Sequence, residues 1–271
     1  MKTTDIEKFA DIALAAALRA GDELKKGFGT AFEIGSKEGR NNLVTEYDHR
    51  SEEIIIDYIK REFPDHKFLA EESGISGKES EETVRWVIDP LDGTVNYAHG
   101  IPIFCISIAA EYNGELLNGL IYQPLSGELF VARRGQGATL NGKKLQVSDN
   151  DDFSRSFLVT GFPYNASENP CNCIDLFVEV IQRGIPVRRL GAAALDLAYV
   201  AAGRFDGFWE IDLKPWDVAA GTLIVREAGG LVTQYDSDDF HIFDNSILAT
   251  NGILHGTLQE LLIKCREKCN L

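Results

Sequence analysis

The N-terminal segment carries apolar side chains at the three- and four-residue spacing of an α-helix. Because residues at this spacing share one side of a helix, the pattern predicts a helix that buries that side. The apolar positions are Ile6, Phe9, Ala10, Ala13, Leu14, Ala17 and Leu18. Thr4 followed by Glu7 matches a capping box at the start, and Gly27 and Gly29 mark the end.

A second helix is predicted over residues 48–63. Pro64 stops this helix, because proline lacks the N–H group that would continue the hydrogen-bond pattern. Its buried side is predicted to consist of Ile54, Ile55, Tyr58 and Ile59. Residues 35–42, between the two helices, are polar and glycine-rich and predict a loop.

The pattern then changes to short apolar runs that are separated by turn residues. Strands are predicted over 86–88, 103–110, 116–122 and 128–132. Asn113-Gly114 and Ser126-Gly127 join three of these runs, and Asn141-Gly142 marks a further turn. Such short connections favour an antiparallel sheet.

The second half of the chain alternates strands with helices. The predicted strands are 157–160, 187–190, 207–211 and 247–249, and the predicted helices are 174–182, 193–202, 218–227 and 254–267. Neither a Ser/Pro-rich linker nor an internal repeat divides the chain. We therefore expect a single unit over residues 1–271, with approximate halves 1–150 (helices and antiparallel sheet) and 151–271 (alternating α and β).

Composition and charge narrow the class of protein. The 271 residues are 44% hydrophobic and 25% charged, as in ordinary globular proteins. A net charge of −15 repels phosphate backbones, so we expect no nucleic-acid partner. The longest apolar run, 101–110, is too short to span a membrane, and acids near the N-terminus argue against a signal peptide.

Five cysteines lie in the chain, at positions Cys105, Cys171, Cys173, Cys265 and Cys269. Because their number is odd and a chain of this size does not need disulfide bonds for stability, we interpret them as reduced thiols and expect a cytoplasmic protein. No histidine or further cysteine is spaced to complete a zinc site.

The most informative segment is the strand that runs from Trp86 into Asp89-Pro90-Leu91-Asp92-Gly93-Thr94. Two aspartates three apart around a Pro and Gly turn are able to converge on one point. Like charges so close together are costly unless a cation lies between them. Taken alone, however, the segment is also explained as an ordinary strand-to-loop turn.

Similar acids follow other apolar runs. Glu71 and Glu72 come after the run 68–70, and Asp217 follows Trp216 at a predicted helix start. Alone, Asp217 is explained as an N-cap and the glutamates as a solvated pair. Together with Asp89 and Asp92, Glu71 and Asp217 form a hard oxygen-ligand set. Such a set suits Mg²⁺ or Mn²⁺ better than zinc, and has enough acids for two ions roughly 3.5–4 Å apart.

The motifs that carry these acids resemble those of the inositol monophosphatase family. The matching pieces are AEES (70–73), WVIDPLDGTVNYAHG (86–100), WDVAAG (216–221) and REAGG (226–230), with weaker matches at 43–48 and 127–137. The resemblance implies an α+β fold: a layered α-β-α-β-α sandwich of the inositol monophosphatase/fructose-1,6-bisphosphatase type. It also implies a homodimer and a magnesium-dependent, lithium-sensitive phosphatase.

The resemblance further implies a metal site of two to three Mg²⁺ ions, with Mn²⁺ as an alternative. Glu71, Asp89 and the backbone carbonyl of Leu91 would hold the first ion. Asp89, Asp92 and Asp217 would hold the second, and Glu71 would also serve a third, more weakly bound ion.

Phosphate and water would be held beside the metals. By the same resemblance, Gly93 and Thr94 would bind phosphate through backbone N–H groups. Thr94 and Asp48 would position and activate the attacking water. Lys37 matches a loop lysine of the family and is a further expected contact.

The substrate pocket is implied to come from the second half. Glu210 would accept hydrogen bonds from inositol hydroxyls, and Gly191 and Ala193 would line the ring. Ala192 stands where animal members have a threonine, and residues 161–164 offer no clear serine equivalent. These departures concern the choice of substrate.

The function expected from these residues is hydrolysis of inositol 1-phosphate by direct in-line attack of a metal-activated water. Fructose 1,6-bisphosphate, histidinol phosphate and 3′-phosphoadenosine nucleotides are alternative substrates within the family. A haloacid-dehalogenase-type phosphatase is disfavoured, because its D-x-D-G-T motif is one residue shorter than the segment here. A regulatory, partner-binding protein is the alternative of a different class.

Overall fold

The computed structural model describes residues 3–36, 43–77 and 83–268. Seven α-helices lie in these residues: α1 (Thr3–Gly27), α2 (Glu46–Glu62), α3 (Thr94–Ala98), α4 (Cys173–Gln182), α5 (Ala193–Ala201), α6 (Pro215–Glu227) and α7 (His255–Lys268). No helix in this part of the chain is long and apolar enough to cross a bilayer.

Fifteen strands lie in the same described residues. They are β1 (Ile34–Ser36), β2 (Leu43–Thr45), β3 (Lys67–Ala70), β4 (Gly74–Ser76), β5 (Arg85–Asp92), β6 (Cys105–Tyr112), β7 (Glu115–Gln123), β8 (Glu128–Arg133), β9 (Gly137–Leu140), β10 (Lys143–Lys144), β11 (Leu158–Thr160), β12 (Val187–Arg188), β13 (Gly207–Ile211), β14 (Leu231–Thr233) and β15 (Ser246–Thr250).

The strands form two main sheets and a small ribbon. The larger sheet has the order β10-β9-β8-β7-β6-β5-β3-β4, and only β3 and β5 run parallel in it. The smaller sheet has the order β12-β11-β13-β15-β14, with β12, β11 and β13 parallel. β1 and β2 pair as an antiparallel ribbon.

Helices and sheets alternate as five layers. On the outer face of the larger sheet, α1 and α2 bury Ala17 and Ile55 against Trp86. Between the two sheets, α5 and α6 pack Ala198 and Ile224 into a shared core. The outer face of the smaller sheet is covered by α4 and α7. This arrangement confirms the predicted α+β, layered α-β-α-β-α sandwich.

Small residues let α1 approach the larger sheet closely. Ala13, Ala16 and Ala20 are fully buried on its inner side. A Cβ at Gly21 would lie 2.5 Å from the Tyr122 ring, so any side chain at this position would displace that ring.

Several predicted elements shift at their ends. α2 begins at Glu46, two residues before the predicted start, because the Thr45 hydroxyl accepts the N–H of Tyr47 and Asp48 accepts the N–H of Thr45. Residues 35 and 36, predicted as loop, belong to β1, while 37–42 lie outside the described residues. β4, β14 and the β1–β2 ribbon were not predicted; each is only three residues long.

α6 corrects a second expectation. The helix begins at Pro215 and Lys214 is its N-cap, so Asp217 lies inside the first turn. Its Oδ2 accepts the backbone N–H of Lys214 at 2.6 Å, which satisfies a donor that the helix start leaves open. Proline at the first helical position explains the earlier start, because its ring already has helical geometry.

Candidate active site

A β-bulge at the end of β5 decides where its two aspartates point. Asp89 pairs with Ser107 and Asp92 with Cys105, so β5 has one residue more than β6 between these pairs. Residues three apart in a regular strand point to opposite faces of the sheet, whereas one extra residue brings them to the same face. Pro90 suits this position, because it has no N–H to give to the ladder.

Glu71 and Asp217 approach Asp89 from two sides. Ala70 pairs with Ile88, and the N–H of Glu71 donates to the Ile88 carbonyl at 3.1 Å, which places Glu71 beside Asp89 on the neighbouring strand. The start of α6 is tied to the same place, because the Ser107 hydroxyl donates to the Trp216 carbonyl at 3.1 Å.

The four acids repel one another. Burial raises the pKa of Asp89 well above its usual range, and repulsion from Glu71, Asp92 and Asp217 raises it further. Burial and then repulsion from Glu71 and Asp92 likewise raise the pKa of Asp217 well above its usual range. The pKa of Asp92 rises to about 6, first because of burial. Their carboxylates therefore face a common region.

Backbone N–H groups orient these carboxylates. Asp89 Oδ1 accepts from the N–H of Leu91 at 3.0 Å. Asp92 Oδ2 accepts from the N–H of Ala194 at 2.7 Å and contacts the Cys105 thiol at 3.6 Å. The bond to Ala194 joins the end of β5 to the first turn of α5, 102 residues away along the chain.

The donor set fits a hard divalent cation in its chemistry. Carboxylates and a backbone carbonyl are the ligands that Mg²⁺ and Mn²⁺ prefer, and a cation would relieve the repulsion among them. Within residues 3–36, 43–77 and 83–268, however, no three His, Cys, Asp or Glu side chains form a closed ligand shell.

Asp48 and Thr94 form a hydrogen-bonded pair next to this group. The Thr94 hydroxyl donates to Asp48 Oδ1 at 2.8 Å and approaches the Leu91 carbonyl at 3.0 Å. Asp48 Oδ2 accepts from the N–H and the hydroxyl of Thr45. Burial raises the pKa of Asp48 to about 6, so this carboxylate is able to take up a proton near neutral pH.

Gly93 lies between the bulge and α3. Its φ of 93° is in the left-handed region, and a Cβ would lie 2.8 Å from the Ile103 carbonyl oxygen. Both features require glycine here. The Asn96 amide donates to the carbonyls of Ile103 and Leu190 at 2.8 and 2.9 Å, which ties α3 to the segment that carries Gly191.

The predicted substrate residues border the acids. Gly191, with a φ of 82°, and Ala193 flank the start of α5. Glu210 is buried on β13, and burial followed by repulsion from Asp217 raises its pKa well above the usual range, while Arg189 opposes this rise. A Cβ at Gly161 would overlap the Glu210 carboxylate, so glycine at 161 makes room for it.

Lys37, the remaining expected contact, lies outside the described residues. Four further buried polar residues beside the site were not predicted: Ser51, Glu52, Asn96 and Asp196. The sequence does contain a signal for Ser51 and Glu52. Both are polar residues at positions of α2 where the helical period predicts buried, apolar side chains.

A cavity of about 430 Å³ lies at the other end of α1 and β5 and contains none of the predicted site residues. Its lining is Asp5, Lys8, Phe9, Phe63, Asp65, His66, Thr83, Val84 and Tyr112. Volume alone therefore does not locate the chemistry of this chain.

Comparison with known proteins identifies the family and agrees with the fold. A sequence model described as the inositol monophosphatase family matches residues 5–271. The inositol-1-monophosphatase of Synechocystis sp. is 43% identical over 259 residues, covering 96% of this chain and 90% of that protein. The Nus factor SuhB of Escherichia coli K12 is 43% identical over 243 residues, covering 89% and 90%.

A solved structure shows the same likeness in three dimensions. The inositol monophosphatase from Anabaena (Nostoc) sp. superposes with a TM-score of 0.84 at 43% identity, covering 96% of this chain and 97% of that one. The layered fold and these relatives define a phosphatase of a metal-dependent class. The chain belongs to the inositol monophosphatase family.

Proposed function

We propose that this chain is a cytoplasmic, magnesium-dependent hydrolase of small phosphate monoesters, with inositol 1-phosphate as its leading substrate. One observation carries the proposal: the charges of Glu71 and Asp92 raise the pKa of both Asp89 and Asp217, so the four carboxylates face one region, and this region lies beside the hydrogen-bonded pair Asp48–Thr94. A buried group of like charges is stable only with a cation or with protons among them, and family membership favours a metal.

In this proposal the four acids and the Leu91 carbonyl would hold Mg²⁺. When bound, the metal would polarise the phosphoryl group and lower the pKa of a water. The backbone N–H groups of Gly93 and Thr94 would hold the phosphate oxygens. Both roles agree with the resemblance of segment 86–100.

Asp48 and Thr94 would manage the proton of the attacking water. Since the Thr94 hydroxyl donates to Asp48, its oxygen is open to accept a hydrogen bond from the water. As the water oxygen bonds to phosphorus, its proton passes by way of Thr94 to Asp48. The bond between phosphorus and the ester oxygen breaks, the leaving alkoxide takes a proton from a solvent water, and Asp48 returns its proton to the solvent.

Glu210 supports a polyol substrate. Its carboxylate lies close enough to Asp217 to be repelled by it, and would accept hydrogen bonds from ring hydroxyls. Gly191 and Ala193 would line the ring. A second phosphate at this position would meet a carboxylate, which disfavours bisphosphates.

A phosphate-release screen over a panel of monoesters tests this function. The panel contains inositol 1-phosphate, fructose 1,6-bisphosphate, histidinol phosphate and 3′-phosphoadenosine nucleotides, each with Mg²⁺, with Mn²⁺ and with added Li⁺. We expect the highest kcat/KM for inositol 1-phosphate and inhibition by Li⁺. Faster turnover of another member would move the assignment to that substrate, and no release with either metal would refute the hydrolase.

We also propose that the chain forms a homodimer through α4. Cys173, Leu176 and Val180 occupy the buried side of this helix, yet Ile174, Val178 and Ile181 expose 40%, 36% and 42% of their surface on the other. A helix that is apolar on both sides favours burial on both. Light scattering should show a dimer that Ile174→Glu dissociates, whereas Ile75→Glu, at an exposed position on β4 outside α4, should leave it intact.

A second role as a regulatory binding protein is favoured by one observation, namely that the Escherichia coli relative is a Nus factor. The Asp89→Asn variant separates the two roles. If it fails to hydrolyse phosphate esters but still restores growth of a host that lacks its own copy, the binding role is supported. Loss of both functions together would favour the enzyme alone.

A further inference from the structure

Three polar residues of α2 point into the protein beside the candidate site. Asp48, Ser51 and Glu52 are 0%, 0% and 4% exposed, and their spacing places them on one side of the helix. The same side continues with the buried Ile55 and Ile59, which pack against the larger sheet. Buried polar groups are costly unless they are hydrogen-bonded, so the partners of these three residues matter.

Glu52 holds the turn that follows β3. Its Oε2 accepts the backbone N–H of Glu72 at 2.8 Å, and its Oε1 accepts that of Ser73 at 2.9 Å. This turn joins Ala70 on β3 to Gly74 on β4, and Glu71 is its first residue. Both oxygens of Glu52 are thus bound to the two residues that come directly after an expected metal ligand.

Ser51 and Asp48 hold two other segments of the site. The Ser51 hydroxyl donates to the carbonyl of Pro90 at 2.7 Å, inside the bulge between Asp89 and Asp92. Asp48 accepts from Thr94 at the start of α3. Each of these three side chains therefore contacts a different site segment, and α2 joins the three segments.

The packing of α2 does not by itself require these bonds. Ile55 and Ile59 are fully buried and already attach the helix to the sheet by apolar contact. If Glu52 served folding alone, a replacement that keeps its size would change stability and leave metal affinity as it was. If Glu52 positions Glu71, the same replacement would weaken metal binding in a chain that still folds.

We propose that Glu52 is a positioning residue for the metal site: it fixes Glu71 by binding the two N–H groups that follow it, without touching metal or substrate. Ser51 fixes the Asp89–Asp92 bulge in the same way. This proposal rests on the proposed function, because Glu71 and the two aspartates matter only if they hold a cation. Residues that orient metal ligands typically contribute about 10- to 100-fold to metal affinity.

The test compares Glu52→Gln with Glu53→Gln in the full chain. Glutamine keeps the size of Glu52, but its NH₂ group faces one of the two N–H donors and loses that bond. Glu53 is exposed on the next position of α2 and serves as the matched control. Mn²⁺ binding is measured by calorimetry, and activity is measured as a function of Mg²⁺ concentration.

We expect Glu52→Gln to bind Mn²⁺ about 10- to 100-fold more weakly than the parent chain. Half-activation should move to correspondingly higher Mg²⁺, while kcat at saturating Mg²⁺ recovers most of the parent value. Glu52→Asp, which keeps the charge on a shorter side chain, should have a Mn²⁺ affinity between those of the parent and Glu52→Gln. Glu53→Gln should match the parent in both measurements.

Unchanged Mn²⁺ affinity in folded Glu52→Gln would overturn the positioning role and leave the proposed function standing. A parent chain that binds no Mn²⁺ and releases no phosphate would overturn the proposed function, and the positioning role with it. Should Glu52→Gln not fold, Ser51→Ala decides the question. Several-fold weaker Mn²⁺ binding there supports the role of α2, and parental affinity overturns it.

Discussion

The acid group beside β5 and the histidine beside β15 are both buried and titratable, but their surroundings differ. Asp89 faces three other carboxylates, each of which raises its pKa. His255 lies between the Thr233 and Thr250 hydroxyls, each 2.9 Å from one of its ring nitrogens, and burial lowers its pKa to about 4. Both ring nitrogens of the histidine have hydrogen-bond partners, whereas Asp89 is repelled by the neighbouring carboxylates.

This difference separates a site from a structural residue. A neutral imidazole with two hydroxyl partners has all its hydrogen-bonding capacity satisfied without a ligand, since its ring supplies one donor and one acceptor. Four carboxylates that repel one another in a buried place need cations or protons to neutralise their charge. Among the buried titratable groups described, like-charge repulsion therefore indicates function better than burial or a large pKa shift alone.

Asp89→Asn should produce the largest effect. We expect kcat to fall on the order of 10³-fold, because a neutral amide is a poor ligand for a hard cation. In metal-free buffer the free energy of unfolding should not decrease, because one of the repelling charges is gone. Steady-state kinetics and urea unfolding measure both, with the exposed Asp151→Asn as control. Retained activity together with a lower unfolding free energy would make Asp89 a structural residue.

Asp48→Asn should lower kcat on the order of 10²-fold, as expected for loss of a general base. In the parent, Asp48 acts in its charged form. The value of kcat should therefore rise with pH in an acid limb whose apparent pKa is about 6 or lower, because the pKa of Asp48 in this structure is about 6. The variant should lack this limb. The pH dependence of kcat from pH 5 to 9 is the measurement, and an identical limb in the variant would assign it to another group.

Glu210→Gln should lower kcat/KM for inositol 1-phosphate by roughly 10- to 100-fold, the worth of a hydrogen bond to a charged group. Hydrolysis of 4-nitrophenyl phosphate, which has no ring hydroxyls, is the matched control and should change little. Equal losses on both substrates would place Glu210 in the metal group and remove the main support for a polyol substrate.

His255→Gln should have the smallest effect on activity, and its diagnostic effect is a change in the pH dependence of stability. In the folded chain the pKa of His255, about 4, lies below the 6.5 of an ordinary histidine, so the unfolded chain binds the proton first as the pH falls. The stability that the neutral histidine contributes is complete above pH 6.5 and is lost between pH 6.5 and 4, by about 3 kcal/mol.

Asp48 acts with the opposite sign, because its raised pKa lets the folded state bind a proton first. The difference between parent and His255→Gln across this pH range therefore isolates the histidine. Chemical unfolding at several pH values measures it. Parallel curves for the two proteins would show that His255 does not titrate between folded and unfolded states.

The sequence by itself determined the residue types of the site and the family. Hard acids after apolar strands, and the segments 70–73, 86–100 and 216–221, predicted a phosphatase fold that the structure and the relatives confirm. Local signals also predicted most helices and strands, because helical and strand periods depend on near neighbours. The ends were less accurate, as at Glu46 and Pro215, where capping decides.

Only the tertiary structure decided how the acids are presented. Nothing local to 86–94 shows that a bulge against β6 turns Asp89 and Asp92 to one face, since the partner strand defines it. Asp92 takes its orientation from Ala194, 102 residues away, and the turn after Glu71 from Glu52, about 20 residues earlier. Such contacts, and the burial that shifts each pKa, depend on segments distant in the chain that only packing brings together.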